Sequence, residues 1–174
     1  MAFAIFFILF FLLFWFVFNR NLKAQNLLLL AGSYIFYAWW DWRFLSLLIG
    51  SSFINYYIGI QISKTTDEKR KGWLLLAGIF VGLAFLLFFK YYNFFIHSLI
   101  ESLALFHITA HLSLLHLILP LGISFYTFRT ISYLLDIYNE DIEPTRDIVV
   151  FFAYVAFFPS LLCGPIDRAG LLIP

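Results

Sequence analysis

The sequence contains little charge and a single cysteine. Only 12% of its 174 residues are Asp, Glu, Lys or Arg, whereas a soluble domain carries about 25%. The formal net charge is +1, and there is no dense basic patch, so nothing indicates a nucleic-acid partner. The lone Cys163 excludes an internal disulfide bond and leaves no cysteine spacing for a metal cluster.

Most residues of the chain are apolar. The chain is 63% hydrophobic and 22% aromatic, and its long apolar runs alternate with short polar loops, as in membrane proteins. The first run lacks a basic segment before it and a small-residue cleavage site after it, so we expect it to be retained as a membrane helix. No repeat or linker is visible. We therefore predict an all-α, polytopic transmembrane bundle in which residues 1–174 form one domain.

The hydropathy pattern predicts about six membrane segments and one interfacial helix. The six segments are 2–18, 27–40, 44–62, 73–89, 112–138 and 148–162. Between the fourth and the fifth, residues 90–106 place polar side chains every four residues, which predicts an amphipathic helix at the membrane interface. The loops at 19–26 and 63–72 are basic, so the positive-inside rule places both in the cytoplasm and the amino terminus outside.

Two charged residues lie inside the predicted fifth segment. Charges are costly in hydrocarbon, so they usually face a protein interior or a water-filled cavity. On a helical wheel of about 100° per residue, Arg129 and Asp136 share one face, about 10 Å apart along the axis. Ser132 and Tyr133 lie on the same face, whereas the opposite face is apolar and includes Leu134. The polar face predicts either a functional interior lining or a stripe that hydrogen-bonds neighbouring helices.

The predicted sixth segment is short and contains a proline. As a helix it would be about 22 Å long, against a hydrocarbon core of about 30 Å. Pro159 removes a backbone donor inside it, and Gly164 and Pro165 prevent a simple continuation. Two interpretations remain: a broken helix whose backbone is satisfied by protein or by a lined cavity, or a helix end at the membrane interface.

Signals for metal binding or covalent catalysis are weak. His107 and His111 are four residues apart, a spacing that suits two ligands of one metal ion, but no third ligand lies at a useful distance in the sequence. With His97 and His116 they fit histidines bonded to water or lipid headgroups better, and we expect no metal. Cys163 matches a small buried side chain better than a nucleophile.

Several stretches of the chain resemble one protein family. The most specific are LPLGISFYTFRTISYLLDIY at 119–138 and, after an acidic loop, FFPSLLCGPI at 157–166. NLLLLAGSYIFYAWWDWRFL at 26–45 and FKYYNFF at 89–95 fit the same pattern. The chain resembles the amino-terminal part of the membrane-bound O-acyltransferase superfamily, within its alginate O-acetyltransferase branch. It departs from that pattern at Asn55, where many relatives carry Asp.

The resemblance implies an enzyme of the inner membrane that passes an acyl group from a cytoplasmic thioester donor, through a tunnel in the bundle, to a hydroxyl. It implies no bound cofactor, a polysaccharide acceptor such as alginate, and periplasmic or extracellular acetylation partner proteins. The family's histidine is expected beyond Pro174, so we assign no catalytic residue and expect an incomplete membrane domain that is inactive alone. The candidates for lining the interior or tunnel are Arg129, Ser132, Tyr133, Asp136, Gly164 and Pro165.

Other functions remain open. Within the same chemistry, the alternative is transfer of D-alanyl groups to teichoic acids. From a different class, the charged face and the broken segment would also suit a transporter, although no inverted repeat is visible. A non-catalytic membrane scaffold is the third alternative.

Overall fold

The computed structural model describes residues 2–17, 21–105, 119–161 and 169–172. All regular secondary structure in these ranges is helical, which confirms the all-α prediction. The elements are α1 Ala2–Leu12, a π-helical turn Leu13–Val17, α2 Leu22–Lys64, α3 Glu68–Leu105, α4 Ile123–Tyr138, α5 Ile148–Val155, α6 Phe158–Leu161 and α7 Ala169–Leu172.

The predicted count of six membrane segments is wrong for the described part of the chain. Two helical stretches there are long and apolar enough to cross a membrane, α2 and Glu68–Ile100 within α3. The predicted second and third segments both lie in α2, and residues 90–105 of the predicted interfacial helix are a continuation of α3. The apolar stretches Ile5–Phe16 and Ile148–Leu161 are shorter.

A bend at Asp41 divides α2 where the sequence predicts a loop. The Asp41 backbone is extended, with φ −159° and ψ 111°, inside an otherwise helical run. Its carboxylate accepts a hydrogen bond of 2.9 Å from the backbone N–H of Arg43, as an N-cap does. It also binds the Arg43 guanidinium at 2.9 and 3.1 Å. Asp41 is therefore the N-cap of the second helical part of α2, and this single extended residue separates the predicted second and third segments.

The core of the bundle is built around α4. α2 packs against α3, α4 and α5, and α3 packs along α4. The buried residues of α4 are Ile123, Tyr126, Thr127, Arg129, Thr130, Tyr133, Leu134 and Ile137. Gly78 of α3 lies so close to the Leu134 side chain that a Cβ atom there would overlap it. The missing side chain at Gly78 thus allows the close approach of α3 to α4.

One aromatic cluster attaches α1 to the rest of the bundle. Phe158, buried at the start of α6, has its ring centroid 5.1 Å from that of Phe10 and 5.5 Å from those of Phe6 and Phe36. Phe7 lies 6.3 Å away. Edge-to-face aromatic pairs at such distances contribute about 0.5–1.5 kcal/mol each beyond their buried area. The short α6 is therefore an anchor for α1.

An ion pair joins the start of α3 to the end of α4. The Lys71 ammonium lies 2.9 Å from a carboxylate oxygen of Glu140 and 3.2 Å from one of Glu68. The ammonium holds the pKa of the Glu140 carboxyl below its ordinary value. The pair places the 63–72 loop and the 139–147 loop at the same end of the molecule.

Candidate functional site

The helix formed by α5 and α6 is broken, as one interpretation of the sequence predicted. α5 ends at Val155 and α6 begins at Phe158. Pro159 explains the position of the break, because its ring would clash with the carbonyl four residues earlier, that of Val155. In a continuous helix, the N–H of Phe158 would donate to the carbonyl of Tyr154. The break separates these two backbone groups in the interior of the bundle.

Side chains from two other helices replace the lost backbone hydrogen bond. The N–H of Phe158 donates to the hydroxyl of Ser33 on α2, at 3.3 Å. The carbonyl of Tyr154 accepts from Nη1 of Arg129 on α4, at 2.9 Å. Both halves of the missing bond are therefore satisfied by protein, which is the condition for a broken helix at membrane depth.

Arg129 contacts both sides of the break. Besides the Tyr154 carbonyl on α5, it donates from Nη2 to the hydroxyl of Ser160 on α6, at 2.5 Å. Its guanidinium carbon lies 5.3 Å from the centre of the Tyr154 ring, a cation–π distance. Arg129 is only 2% exposed. A planar guanidinium can reach two acceptors at once, which a lysine ammonium does less well.

Tyr133 lies one turn further along α4 and holds the loop that precedes α5. Its hydroxyl accepts a hydrogen bond of 3.2 Å from the backbone N–H of Thr145. Its ring centroid is 4.8 Å from that of Phe151. Tyr133 is fully buried. Arg129 and Tyr133 therefore fix the two ends of α5.

Ser132 and Asp136 face a different region. They line an open pocket of about 400 Å³, together with Phe128, Ile131, Leu135, Asn139 and Asp141. The structure thus divides the polar face of the helical wheel between an interior pair and a pocket-lining pair. Leu134, from the apolar face of the wheel, is fully buried because α3 covers it.

The other predicted site residues lie outside the described residues. These are Gly164 and Pro165, as well as Cys163, His107, His111 and His116. Within the described ranges, no group of three or more His, Cys, Asp or Glu side chains is arranged to hold a metal ion.

Sequence analysis missed Ser33, Tyr154 and Ser160. Ser160 follows Pro159 directly, and a hydroxyl next to a helix-breaking proline is a usable signal for backbone repair. Ser33 has no such signal, because it lies 125 residues from the N–H that it satisfies. Two nitrogens of Arg129 are bound to protein acceptors, so the described geometry supports a positioning role for this residue.

Known proteins align with most of the chain. It is 45% identical over 148 residues to a probable alginate O-acetylase of Pseudomonas aeruginosa and 43% identical over 148 residues to one of Azotobacter vinelandii, each match covering 84% of the chain. The resemblance to the alginate O-acetylases is confirmed. A peptidoglycan O-acetyltransferase of Helicobacter pylori is 32% identical over 183 residues, covering 90% of the chain.

The chain spans 28%, 29% and 33% of the length of these three relatives, respectively. No model of a protein family matches the chain, and no solved structure matches it. The segment shared with the alginate O-acetylases includes most of the helices described above, because 84% of the chain is aligned.

Gly122 allows α4 to begin against α6, and its replacement tests that contact. Its φ is +67°, and a Cβ atom would lie 2.7 Å from the carbonyl oxygen of Leu161. We expect Gly122→Ala to lower the free energy of unfolding by about 2 kcal/mol or more, from left-handed backbone strain and overpacking together. Thermal unfolding in detergent, followed by tryptophan fluorescence, measures the change.

Gly50→Ala is the matched control. A Cβ atom at Gly50, inside α2, would meet nothing within 4 Å. Because alanine favours a helix over glycine by about 0.5–1 kcal/mol, this variant should be as stable as the parent or slightly more so. Equal destabilisation by the two substitutions would contradict the proposed contact between α4 and α6.

Proposed function

We propose that the protein functions as part of a membrane O-acetyltransferase that moves acetyl groups from a thioester donor to hydroxyls of a surface polysaccharide. The observation that carries this proposal is the 45% identity to a probable alginate O-acetylase over 84% of the chain. The apolar helices α2 and α3 support a place in a membrane. We also propose that the protein contacts membrane lipid and works with acetylation partner proteins in the periplasm or outside the cell.

The acceptor is a polysaccharide. The relatives named above are alginate O-acetylases and a peptidoglycan O-acetyltransferase, and both kinds of acceptor present sugar hydroxyls. The higher identity to the alginate enzymes, 45% against 32%, favours an alginate-like acceptor. None of these relatives supports D-alanyl transfer, transport or a scaffold role.

Within such an enzyme we assign Arg129 a positioning role. Acyl transfer needs the acyl donor and the acceptor hydroxyl at a fixed distance and orientation. A displacement of either group by about 1 Å can lower the rate of transfer about a hundredfold. Arg129 fixes α5 and α6 relative to α4 through the Tyr154 carbonyl and the Ser160 hydroxyl. We further propose that Gly164 and Pro165, which follow α6 in the sequence, line the path of the acyl group. Tyr133 belongs to the same interior as Arg129, whereas Ser132 and Asp136 would line the acyl path only if it includes the open pocket that they share.

We propose a multi-pass arrangement in the inner membrane with the amino terminus outside and the 63–72 loop in the cytoplasm. Four basic residues in that loop support this orientation. In a Cys163→Ser background, an impermeant thiol reagent should label Asp41→Cys in intact cells but label Lys69→Cys only after lysis. Labelling with the opposite pattern would reverse the orientation.

A chimera tests the proposed activity. Residues 1–174 replace the aligned segment of the Pseudomonas aeruginosa alginate O-acetylase in a strain that lacks its own copy, and the acetyl content of the secreted alginate is measured. We expect acetylation to be restored. Arg129→Leu in the chimera should lower it about tenfold or more, because the broken helix loses its position.

Phe80→Leu is the control, since Phe80 of α3 is 73% exposed and lines neither of the two pockets described for this chain; it should leave acetylation unchanged. Immunoblotting of membranes establishes that all chimeras are present in equal amounts. A chimera that inserts at the parental level but leaves alginate unacetylated would contradict the proposed function.

A further inference from the structure

A second polar pocket lies at the end of α2, apart from the residues around Arg129. Its volume is about 620 Å³. The polar residues that line it are Tyr56, Ser63, Lys64, Glu143 and Arg146. They come from the last turns of α2 and from the loop between α4 and α5. The proposed acetyl transfer uses none of them.

Two cations face this pocket from different elements. Lys64 is the last residue of α2, and Arg146 lies just before α5. Both are exposed. In the described part of the chain, the carboxylates in ion pairs bind Arg43 or Lys71, and none binds Lys64 or Arg146. Glu143 lines the same pocket, so the lining carries two positive charges and one negative charge.

The backbone around both cations is held in place. The hydroxyl of Tyr56 donates to the carbonyl of Arg146 at 2.8 Å. The next carboxylate, that of Asp147, is bound to the backbone N–H groups of α5 as its N-cap. At the end of α2, the hydroxyl of Thr65 donates to the carbonyl of Gln61 at 2.8 Å. The backbone that carries the two cations is therefore fixed, which lowers the entropy that would be lost in ordering the loop on binding.

We propose that this pocket binds a phosphate group. A phosphate accepts charge-assisted hydrogen bonds from an arginine fork and from a lysine ammonium. A pocket of about 620 Å³ also has room for the molecule that carries the phosphate. Both a soluble phosphate ester and the headgroup of an anionic lipid present this chemistry. The proposal does not depend on acetyl transfer.

The first arm of the test uses a soluble probe. The full chain is placed in nanodiscs of phosphatidylcholine, and binding of inorganic pyrophosphate is measured by calorimetry. Lys64→Gln and Arg146→Gln should each weaken binding about tenfold, as expected for the loss of one hydrogen-bonding charge. Lys69→Gln is the control, because Lys69 is an exposed cation at the same end of the molecule that does not line the pocket.

The second arm tests the lipid as the source of the phosphate. The same proteins are purified from nanodiscs that contain phosphatidylglycerol as well as phosphatidylcholine, and the retained phosphatidylglycerol is measured. If the site takes a lipid headgroup, retention falls in Lys64→Gln and Arg146→Gln but not in Lys69→Gln. Glu143→Gln should strengthen binding of whichever probe the site takes, since it removes the carboxylate from the lining.

Together, the two arms distinguish a soluble phosphate ester from a lipid headgroup as the ligand. Dependence of pyrophosphate binding on Lys64 and Arg146 supports a soluble ester, and dependence of lipid retention alone supports a headgroup. The proposal is overturned if neither probe depends on these two residues, or if Lys69→Gln weakens binding as much as they do. Weaker binding in Glu143→Gln would overturn it as well.

Discussion

The rest of the structure depends on how the chain satisfies one broken backbone hydrogen bond. Pro159 prevents the N–H of Phe158 from meeting the carbonyl of Tyr154, and leaving such groups unpaired in an apolar interior costs about 2–7 kcal/mol each. Ser33 accepts from the first group, and Arg129 donates to the second. These two hydrogen bonds therefore bring α2 and α4 into contact with the break between α5 and α6.

This requirement explains why a charge is buried in an apolar bundle. The single side chain of Arg129 contacts three groups: the carbonyl of Tyr154 near the end of α5, the hydroxyl of Ser160 on α6 and the face of the Tyr154 ring. An apolar side chain at this position would leave the carbonyl without a donor, and a lysine would lack the planar fork. In the acetyltransferase that we propose, the same contacts hold α5 and α6 in place against α4.

The sequence predicts the all-helical class and the unusual position of Arg129, and it offers the break near Pro159 as one of two interpretations, because each follows from local chemistry. It does not predict the number of membrane helices: one capping residue, Asp41, separates the two helical parts of α2, and α3 runs through its polar last third. Nor does it predict the partners of Arg129. Ser160 lies 31 residues away and Ser33 lies 125 residues from Phe158, and only the packing brings them together. A helical wheel places Leu134 opposite Arg129, yet both are buried because neighbours cover both sides.

A double-mutant cycle between Arg129 and Ser160 tests whether Arg129 ties the two sides of the break to α4. The free energy of unfolding is measured in detergent for the parent, Arg129→Leu, Ser160→Ala and the double variant. Residues in direct contact show a coupling energy of about 0.5–3 kcal/mol, and we expect a value in that range for Arg129 and Ser160. Additive effects, with a coupling energy below about 0.3 kcal/mol, would contradict it.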